Sequence, residues 1–336
     1  MKILITTYYG LKESLLCASK SLSKVGFECC EYPLFRYYAD KYDKLDNYID
    51  HFLDYIKSVN PDIILWWFIA IDTAGLEKIK KDNLNIKHIF FNWDEPFNWV
   101  HCDLENKSKY LDRAYLCSSE MFDSYKKSGC ECFLLYPGYD PNIHYCILEN
   151  KLQDEVKYSC DISIVCTNLY ANLEKYPNQY ICRKKLVDDI YNNQEKYNYK
   201  FFIYGPTSFE ALYPKSYRGF INYEETNKVF NYSKINICTH VHNDKDKYLN
   251  ERTWMILGSG GLLYIDKIKG IHENNILEDN KDCVIIDKEN YIEQIRKILD
   301  NYNDYYRIRH YGFMKSHDHT WDKWAEFIKK IENPSN

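Results

Sequence analysis

Three stretches of this sequence carry side chains with obvious chemical capacity. The first, Asn92-Trp93-Asp94-Glu95-Pro96, follows the apolar run His88 to Phe91. A carboxylate at the end of a parallel strand can take a proton from a hydroxyl or accept its hydrogen bond. Asp94 or Glu95 is equally suited to capping a turn before proline. The second, Asn250-Glu251-Arg252-Thr253-Trp254, runs through Met255 into Gly258-Ser259-Gly260-Gly261. An arginine in the first turn of a helix adds guanidinium donors to the free backbone N–H groups there, and together they can hold a phosphate. The plainer alternative makes Glu251 and Arg252 surface charges and the glycines a helix terminus.

The third stretch is His240-x-His242, just past an apolar segment ending at Cys238. Alternate residues of an extended chain point to opposite sides, so one imidazole entering a cleft is expected rather than a metal held by both. His317-x-His319 has the same spacing and the same weakness. Gly205, in Tyr204-Gly205-Pro206, and Arg218, in Arg218-Gly219, complete the candidates; a tight turn accounts for either glycine as well as a cleft does. Gly-x-Gly-x-x-Gly, Gly-Lys-Ser/Thr and Gly-x-Ser-x-Gly are all missing, which removes dinucleotide oxidoreductases, P-loop NTPases and serine hydrolases.

Positioning these residues requires an alternation of strands and helices. Lys2 to Thr7 is a strand, and Leu15, Leu16, Ala18, Leu22 and Val25 recur at helical spacing until Gly26. A helix over 46–59 precedes Ile63 to Phe68, a continuous apolar run of the kind buried on both faces of a parallel sheet. A helix near 72–81, a strand at His88 to Trp93, a strand at Arg113 to Cys117, a helix over 119–128 and a strand at Cys132 to Tyr136 continue the series. Residues 137–158 are polar and aperiodic, which marks a linker. A second series then opens with a strand at Asp161 to Cys166. Further strands fall at Phe201 to Tyr204, Ile235 to Cys238, Gly261 to Ile265 and Cys283 to Ile286. Helices are expected over 178–195, 224–232, 249–257 and 288–301. The fold class is therefore α/β, with two Rossmann-like halves and a ligand cleft at the carboxyl ends of their strands. Trp321, Trp324, Ala325, Ile328 and Ile331 form the apolar stripe of a final helix that needs a surface to cover.

The composition bounds the function. A chain of 336 residues holds about two domains. A net charge of −5 gives no general attraction to nucleic acid or anionic lipid. The thirteen cysteines are odd in number, contain no Cys-x-x-Cys pair and follow no evident leader, which reads as a reducing, cytoplasmic setting and not as a disulfide or zinc scaffold. The longest apolar run, Ile63 to Ile71, is far short of the roughly 20 residues of a membrane span. The 33 tyrosines accompany frequent Asn, Lys and Ile, as an AT-rich genome would produce, and carry no functional reading.

The order of signals resembles the group 1 glycosyltransferases, in particular the spore-maturation CgeB-like branch, most clearly over residues 130–325. The pieces are Tyr136-Pro137-Gly138-Tyr139-Asp140-Pro141, the strand Asp161-Ile162-Ser163-Ile164-Val165, Ser233-Lys234-Ile235-Asn236-Ile237, the helix from Asn250 to Gly261, and His319-Thr320-Trp321. The resemblance implies a GT-B fold: an acceptor domain over 1–150, a nucleotide-sugar domain over 151–315, and a C-terminal helix over 316–336 packed back on the first domain. It implies transfer of a sugar from a nucleoside diphosphate to a hydroxyl of a glycan or other acceptor, without a metal or resident cofactor. Asp94 and Arg252 are the implied catalytic residues. Gly205, Arg218, His240, His242, Asn250, Glu251, Arg252, Thr253 and Met255 are the implied donor-binding set. Met255 stands where the family places a glutamate that accepts ribose hydroxyls, and Lys247 stands near the other acidic position. Either Glu251, Asp246 or another carboxylate substitutes, or the protein is a catalytically silent member that binds a sugar or a partner.

Overall fold

A computed structural model of the chain describes residues 1–336 except 40–44, 68, 70, 150, 173, 273 and 334–336. It forms two compact units, Met1–Gly138 with Trp321–Asn336, and Tyr139–Thr320.

Unit 1 contains strands β1 (Lys2–Thr6), β2 (Glu28–Tyr32), β3 (Ile63–Trp66), β4 (Lys87–Asn92), β5 (Arg113–Leu116) and β6 (Glu131–Leu134). Between them run helices α1 (Glu13–Lys24), α2 (Leu34–Ala39), α3 (Tyr48–Val59), α4 (Thr73–Asp82), α5 (Phe97–His101), α6 (Leu104–Lys107) and α7 (Phe122–Lys127). The sheet order is β2-β1-β3-β4-β5-β6, with parallel neighbours throughout. Ile3, Leu4 and Ile5 of β1 and Ile63 to Trp66 of β3 have no exposed surface, as expected of strands covered on both faces. The expected strand at 63–68 ends at Trp66, and Phe68 lies outside the described residues.

Unit 2 contains α8 (Leu152–Tyr158), β7 (Cys160–Val165), α9 (Arg183–Tyr197), β8 (Phe201–Tyr204), α10 (Ser208–Leu212), α11 (Thr226–Tyr232) and β9 (Ser233–Cys238). It continues with α12 (Glu251–Gly258), β10 (Leu263–Ile265), β11 (Val284–Ile285), α13 (Tyr291–Asp300) and α14 (Tyr306–Ser316). Its sheet, also parallel, has the order β11-β10-β9-β7-β8. Both sheets share one winding. The chain lays a second strand on one side of the first and then crosses to the other side, so the direction reverses between β1 and β3 and between β7 and β9. Loops leaving the carboxyl ends of the strands diverge at such reversals, and ligands bind there.

The units divide after Gly138, not at the sequence-based boundary of 150/151. Residues beyond 138 are tied to α11 by side chains: Asn227 Oδ1 accepts from the Tyr145 N–H at 3.1 Å, and Asn231 Oδ1 accepts from the Ile147 N–H at 2.8 Å. Periodicity cannot register a loop held by asparagines, and part of the supposed linker is α8. Unit 2 ends at Thr320, which bridges to Tyr139, so its entry and exit lie side by side.

The final helix, α15 (Trp321–Glu332), returns to unit 1. Trp321 and Trp324 are buried against Trp67, with ring centroids at 5.8 and 5.9 Å. Its ends are held by charge. Asp322 accepts from Ser21 Oγ at 2.5 Å and from Lys24 Nζ at 3.0 Å. The buried Glu332 carboxylate accepts from Tyr115 at 2.6 Å, Arg113 Nη1 at 2.8 Å and Lys87 Nζ at 3.4 Å.

Candidate functional site

In unit 2 the reversal between β7 and β9 gathers a buried polar cluster. Arg183, the first residue of α9, is 4% exposed and ties the loops beyond the two strands together. Its Nη1 donates to the Asn168 carbonyl at 2.7 Å, its Nε to Thr239 Oγ1 at 2.6 Å and its Nη2 to the Thr239 carbonyl. The guanidinium also lies over the Tyr170 ring, 4.6 Å from its centroid. Burial lowers the pKa of Arg183, and the Arg252 charge acts in the same direction.

Arg252 sits in the first turn of α12. Asn250 caps that helix, its Oδ1 accepting from the Thr253 N–H at 3.3 Å, which leaves earlier N–H groups of the turn for a ligand. The Arg252 charge opposes the rise that burial causes in the thiol pKa values of Cys166 and Cys238, so the guanidinium lies by the carboxyl ends of β7 and β9. Its Nη1 is buried and has no hydrogen-bond partner. Among the described residues neither Arg183 nor Arg252 is ion-paired to a carboxylate. Two neighbouring guanidinium groups with a spare buried donor can receive an anion, and a diphosphate has the charge and the acceptor oxygens to match.

Asp266, one residue past β10, organises the floor of this cluster. Fully buried, it accepts from the His240 N–H at 2.9 Å, from His240 Nδ1 at 2.8 Å and from Asn243 Nδ2 at 2.7 Å. His240 Nε2 lies 3.3 Å from Thr253 Oγ1. Asp266, His240 and Thr253 thus lock the start of α12 to the ends of β9 and β10. Both ring nitrogens of His240 have a polar neighbour within the cluster and Thr253 is fully buried.

The other expected residues divide. His242 is half-buried beside Tyr248, with centroids 5.8 Å apart, and burial lowers its pKa. Glu251 accepts from the Tyr223 hydroxyl at 2.8 Å. Met255 is 7% exposed and packs in the core of its helix. Gly205 has no room for a side chain, since a Cβ there would stand 2.3 Å from the Cys166 carbonyl oxygen. Among the described residues Arg218 makes no hydrogen bond or ion pair to Arg183, Arg252 or Asp266. It is exposed, stacks 4.0 Å over Phe202, donates to the Lys215 and Tyr217 carbonyls, and acts on Cys160 at the amino end of β7. Arg183 and Asp266 went unnoticed in the sequence because nothing local distinguishes them; a charged residue just past an apolar strand is the one hint that Asp266 offers.

In unit 1 the loop after β4 carries Trp93, Asp94 and Glu95. Asp94 is exposed, and Trp93 packs on Trp67 at 5.2 Å. Asn92 holds the loop from below. Its Oδ1 accepts from the Asp94 N–H at 3.2 Å and from Asn98 Nδ2 at 2.9 Å, while its Nδ2 donates to Glu95 Oε2 at 2.5 Å. The Tyr125 hydroxyl donates to the same Glu95 oxygen at 3.0 Å. Glu95 has no exposed surface, its Oε1 is unpartnered, and burial pushes its pKa up to about 7. Among the described residues no three His, Cys, Asp or Glu side chains form a metal-holding group, and no helix is long and apolar enough to cross a membrane.

Comparison with known proteins bears on this arrangement. Residues 183–330, which run from Arg183 through α12 into α15, match the family described as Glycosyl transferase-like. No curated protein sequence matches the chain. Among solved structures, sucrose-phosphate synthase from Thermosynechococcus elongatus superposes with a TM-score of 0.72 at 8% identity, over 99% of this chain and 98% of that one. Anabaena Alr3699/HepE in complex with UDP-glucose gives 0.67 at 9% identity, over 99% and 100%. The apo lipopolysaccharide outer core galactosyltransferase WaaB gives 0.61 at 11% identity, over 99% and 100%. The chain has a GT-B fold, and within it the arginine cluster lies in the region that matches the glycosyl transferase-like family.

Proposed function

We propose that the chain is a nucleotide-sugar-dependent glycosyltransferase in which unit 2 holds the donor and Asp94 of unit 1 serves the acceptor hydroxyl. The observation that carries this reading is the unpartnered, buried Nη1 of Arg252 beside Arg183, with no carboxylate paired to either among the described residues. As the bond from the anomeric carbon to the diphosphate breaks, the electron pair and its charge pass to the leaving diphosphate. Arg252 and the first-turn N–H groups of α12 neutralise that charge, an effect worth most where donors are already in place. The acceptor oxygen forms the new bond and its proton goes to Asp94. No metal or resident cofactor is assigned to the reaction. The UDP-glucose complex of HepE supports a uridine diphosphate sugar as donor, and the acceptor is a glycan or another hydroxyl-bearing molecule. The thirteen free cysteines support a reducing compartment.

Met255 favours a second reading, a GT-B protein that binds a nucleotide or sugar without transfer. Its buried thioether cannot accept two ribose hydroxyls, and one oxygen of the nearby Glu251 already serves Tyr223. Calorimetry with UDP and UDP-glucose, followed by chromatography for released UDP, separates the two. Binding with slow UDP release supports the transferase, and binding with no release under any acceptor supports the silent protein. No binding of UDP, UDP-glucose or other nucleoside diphosphates refutes both.

A further inference from the structure

The loop after β1 holds aromatic rings at the ligand-binding end of the unit 1 sheet. Tyr8 and Tyr9 come just past the carboxyl end of β1, beside the β1–β3 reversal. They are 38% and 50% exposed, although burying a phenol ring is ordinarily favourable. Both rings pack on Phe35, with centroids 5.1 and 5.7 Å away and planes tilted by 56° and 81°. Phe35 belongs to α2, which follows β2, so two strand ends build one aromatic shelf. Hydrogen bonds fasten its backbone. The Phe35 N–H donates to the Thr7 carbonyl at 3.3 Å and the Arg36 N–H to the Tyr8 carbonyl at 3.1 Å. Thr7 Oγ1 accepts from the Gly10 N–H at 3.1 Å, and the Glu31 carboxylate accepts from the Leu11 N–H at 2.9 Å. The exposed rings are therefore held in place before any ligand arrives. Thr6 pairs with Trp66 and Trp66 with Phe90, so β3 alone separates β1 from β4, and two strand spacings set their backbones roughly 10 Å apart. The loops that follow these two strands carry Tyr8 and Asp94, and burial and then the Asp94 charge raise the Tyr8 phenol pKa.

We propose that this shelf is the acceptor subsite for a pyranose, one C–H face of the sugar stacking on Tyr8 and Tyr9 while its hydroxyl edge turns to Asp94. The acceptor role rests on the reading of Asp94 as the acceptor-side base, whereas sugar binding at the shelf does not. An aromatic ring has a negative face, and the axial C–H groups of a pyranose carry small positive charges, so the two attract beyond simple burial. Ligand sites pair such apolar surfaces with a few polar groups that fix orientation. Here those groups are the phenol hydroxyls, Arg36 beside Phe35, and Asp94, the last two exposed. A shelf half open to water selects a ligand that is itself half polar. A wholly apolar aryl group needs more enclosure than these rings give, and a linear polyol has no flat face to offer them.

The experiment is proton NMR on the full-length chain, in which saturation of the protein's aromatic protons passes to ligand protons that touch them. The probes are cellotriose, maltotriose, chitotriose, phenyl β-D-glucoside and mannitol. Signal on the C–H protons of one sugar face, with none on mannitol, is the expected result, and it should persist in Asp94→Asn. Tyr9→Leu keeps apolar bulk without the flat ring, and because Tyr9 is half exposed the variant should melt with wild type. Its sugar affinity should fall roughly 2- to 13-fold, the worth of one stacked ring, and Tyr9→Phe should restore it. With UDP-glucose as donor and the bound sugar as acceptor, Tyr9→Leu should raise the acceptor KM by that factor and not act on kcat. No signal on any of the sugars overturns the proposal, as does signal on the phenyl group of the glucoside in place of its ring. Equal sugar affinity in wild type and Tyr9→Leu overturns it too. Sugar binding at the shelf without glycosyl transfer overturns only the link to Asp94.

Discussion

Replacing Arg252 by methionine should stabilise the empty protein while weakening its hold on UDP. The guanidinium has one nitrogen buried without a partner, and its charge faces that of Arg183. Leaving such a donor unpaired costs about 1–3 kcal/mol. Arg252 is only half-buried, so the rest of the group reaches water and the low end of that range, about 1 kcal/mol, is the appropriate figure. Methionine has a similar unbranched stem and a soft thioether that fills the space without a polar demand. For a unit of this size about 1 kcal/mol raises the melting temperature by roughly 2–4 °C. Binding moves the other way. A hydrogen bond to a charged group is worth about 1.5–3 kcal/mol, so UDP should bind roughly 10- to 150-fold more weakly.

Differential scanning fluorimetry of the apo protein and calorimetry with UDP read the two effects separately. Arg252→Lys serves as the graded control, because it keeps a charge and loses the planar fork, and it should fall between wild type and methionine in UDP affinity. A variant that melts lower than wild type and binds UDP as tightly would show that Arg252 is a structural tie, and the anion site would have to be abandoned.

Three further outcomes follow from packing and charge. Glu332→Ala removes the acceptor shared by Tyr115, Arg113 and Lys87 at the foot of α15 and should cost about 3 kcal/mol in urea unfolding, with trypsin cutting α15 sooner; an unchanged midpoint would mean that Trp321 and Trp324 hold the helix alone. Gly258→Ala would place a Cβ 2.3 Å from the Tyr139 ring and should destabilise unit 2 by about 1–3 kcal/mol, whereas a melting point within a degree of wild type would show that the ring moves freely. Asp266→Asn sets an amide where one carboxylate oxygen receives donors, so His240 loses its fixed tautomer, stability should fall by about 1–3 kcal/mol and UDP affinity should fall with it through α12; a loss of stability with full UDP affinity would separate this floor from the donor site.

Much of the architecture was legible because buried parallel strands are written as unbroken apolar runs. Ile63 to Trp66 and Phe201 to Tyr204 are such runs, and each is fully or nearly fully buried. β2 has no comparable mark, since Glu28-Cys29-Cys30-Glu31-Tyr32 is an edge strand with half-exposed residues and polar ends. The stretch after Gly138 reads as a linker because its order comes from Asn227 and Asn231, some eighty residues onward. Arg252 was legible for a local reason: the helix expected over 249–257 puts it in the first turn, and a cation beside free helical N–H groups suggests an anion. Arg183 was not, because its role consists of joining Asn168 to Thr239, which only the folded β7–β9 pair brings together.

Charge at the two strand reversals carries the functional reading further than either motif does alone. The sheets wind in the same way, yet the loops at their carboxyl ends hold opposite chemistry. The β7–β9 reversal collects two arginines with a spare donor, while the loop after β4, next to the β1–β3 reversal, collects the carboxyl groups of Asp94 and Glu95. A polyanionic ligand is repelled by the second set and attracted by the first, and a neutral hydroxyl that must lose a proton has the reverse preference. Under the proposed function, the same winding with exchanged charges would assign the donor to unit 2 and the acceptor to unit 1 by electrostatics. Exchanging Asp94 for lysine should abolish acceptor-dependent turnover while leaving UDP binding to the arginine cluster intact. Equal loss of UDP binding and of turnover would refute that division.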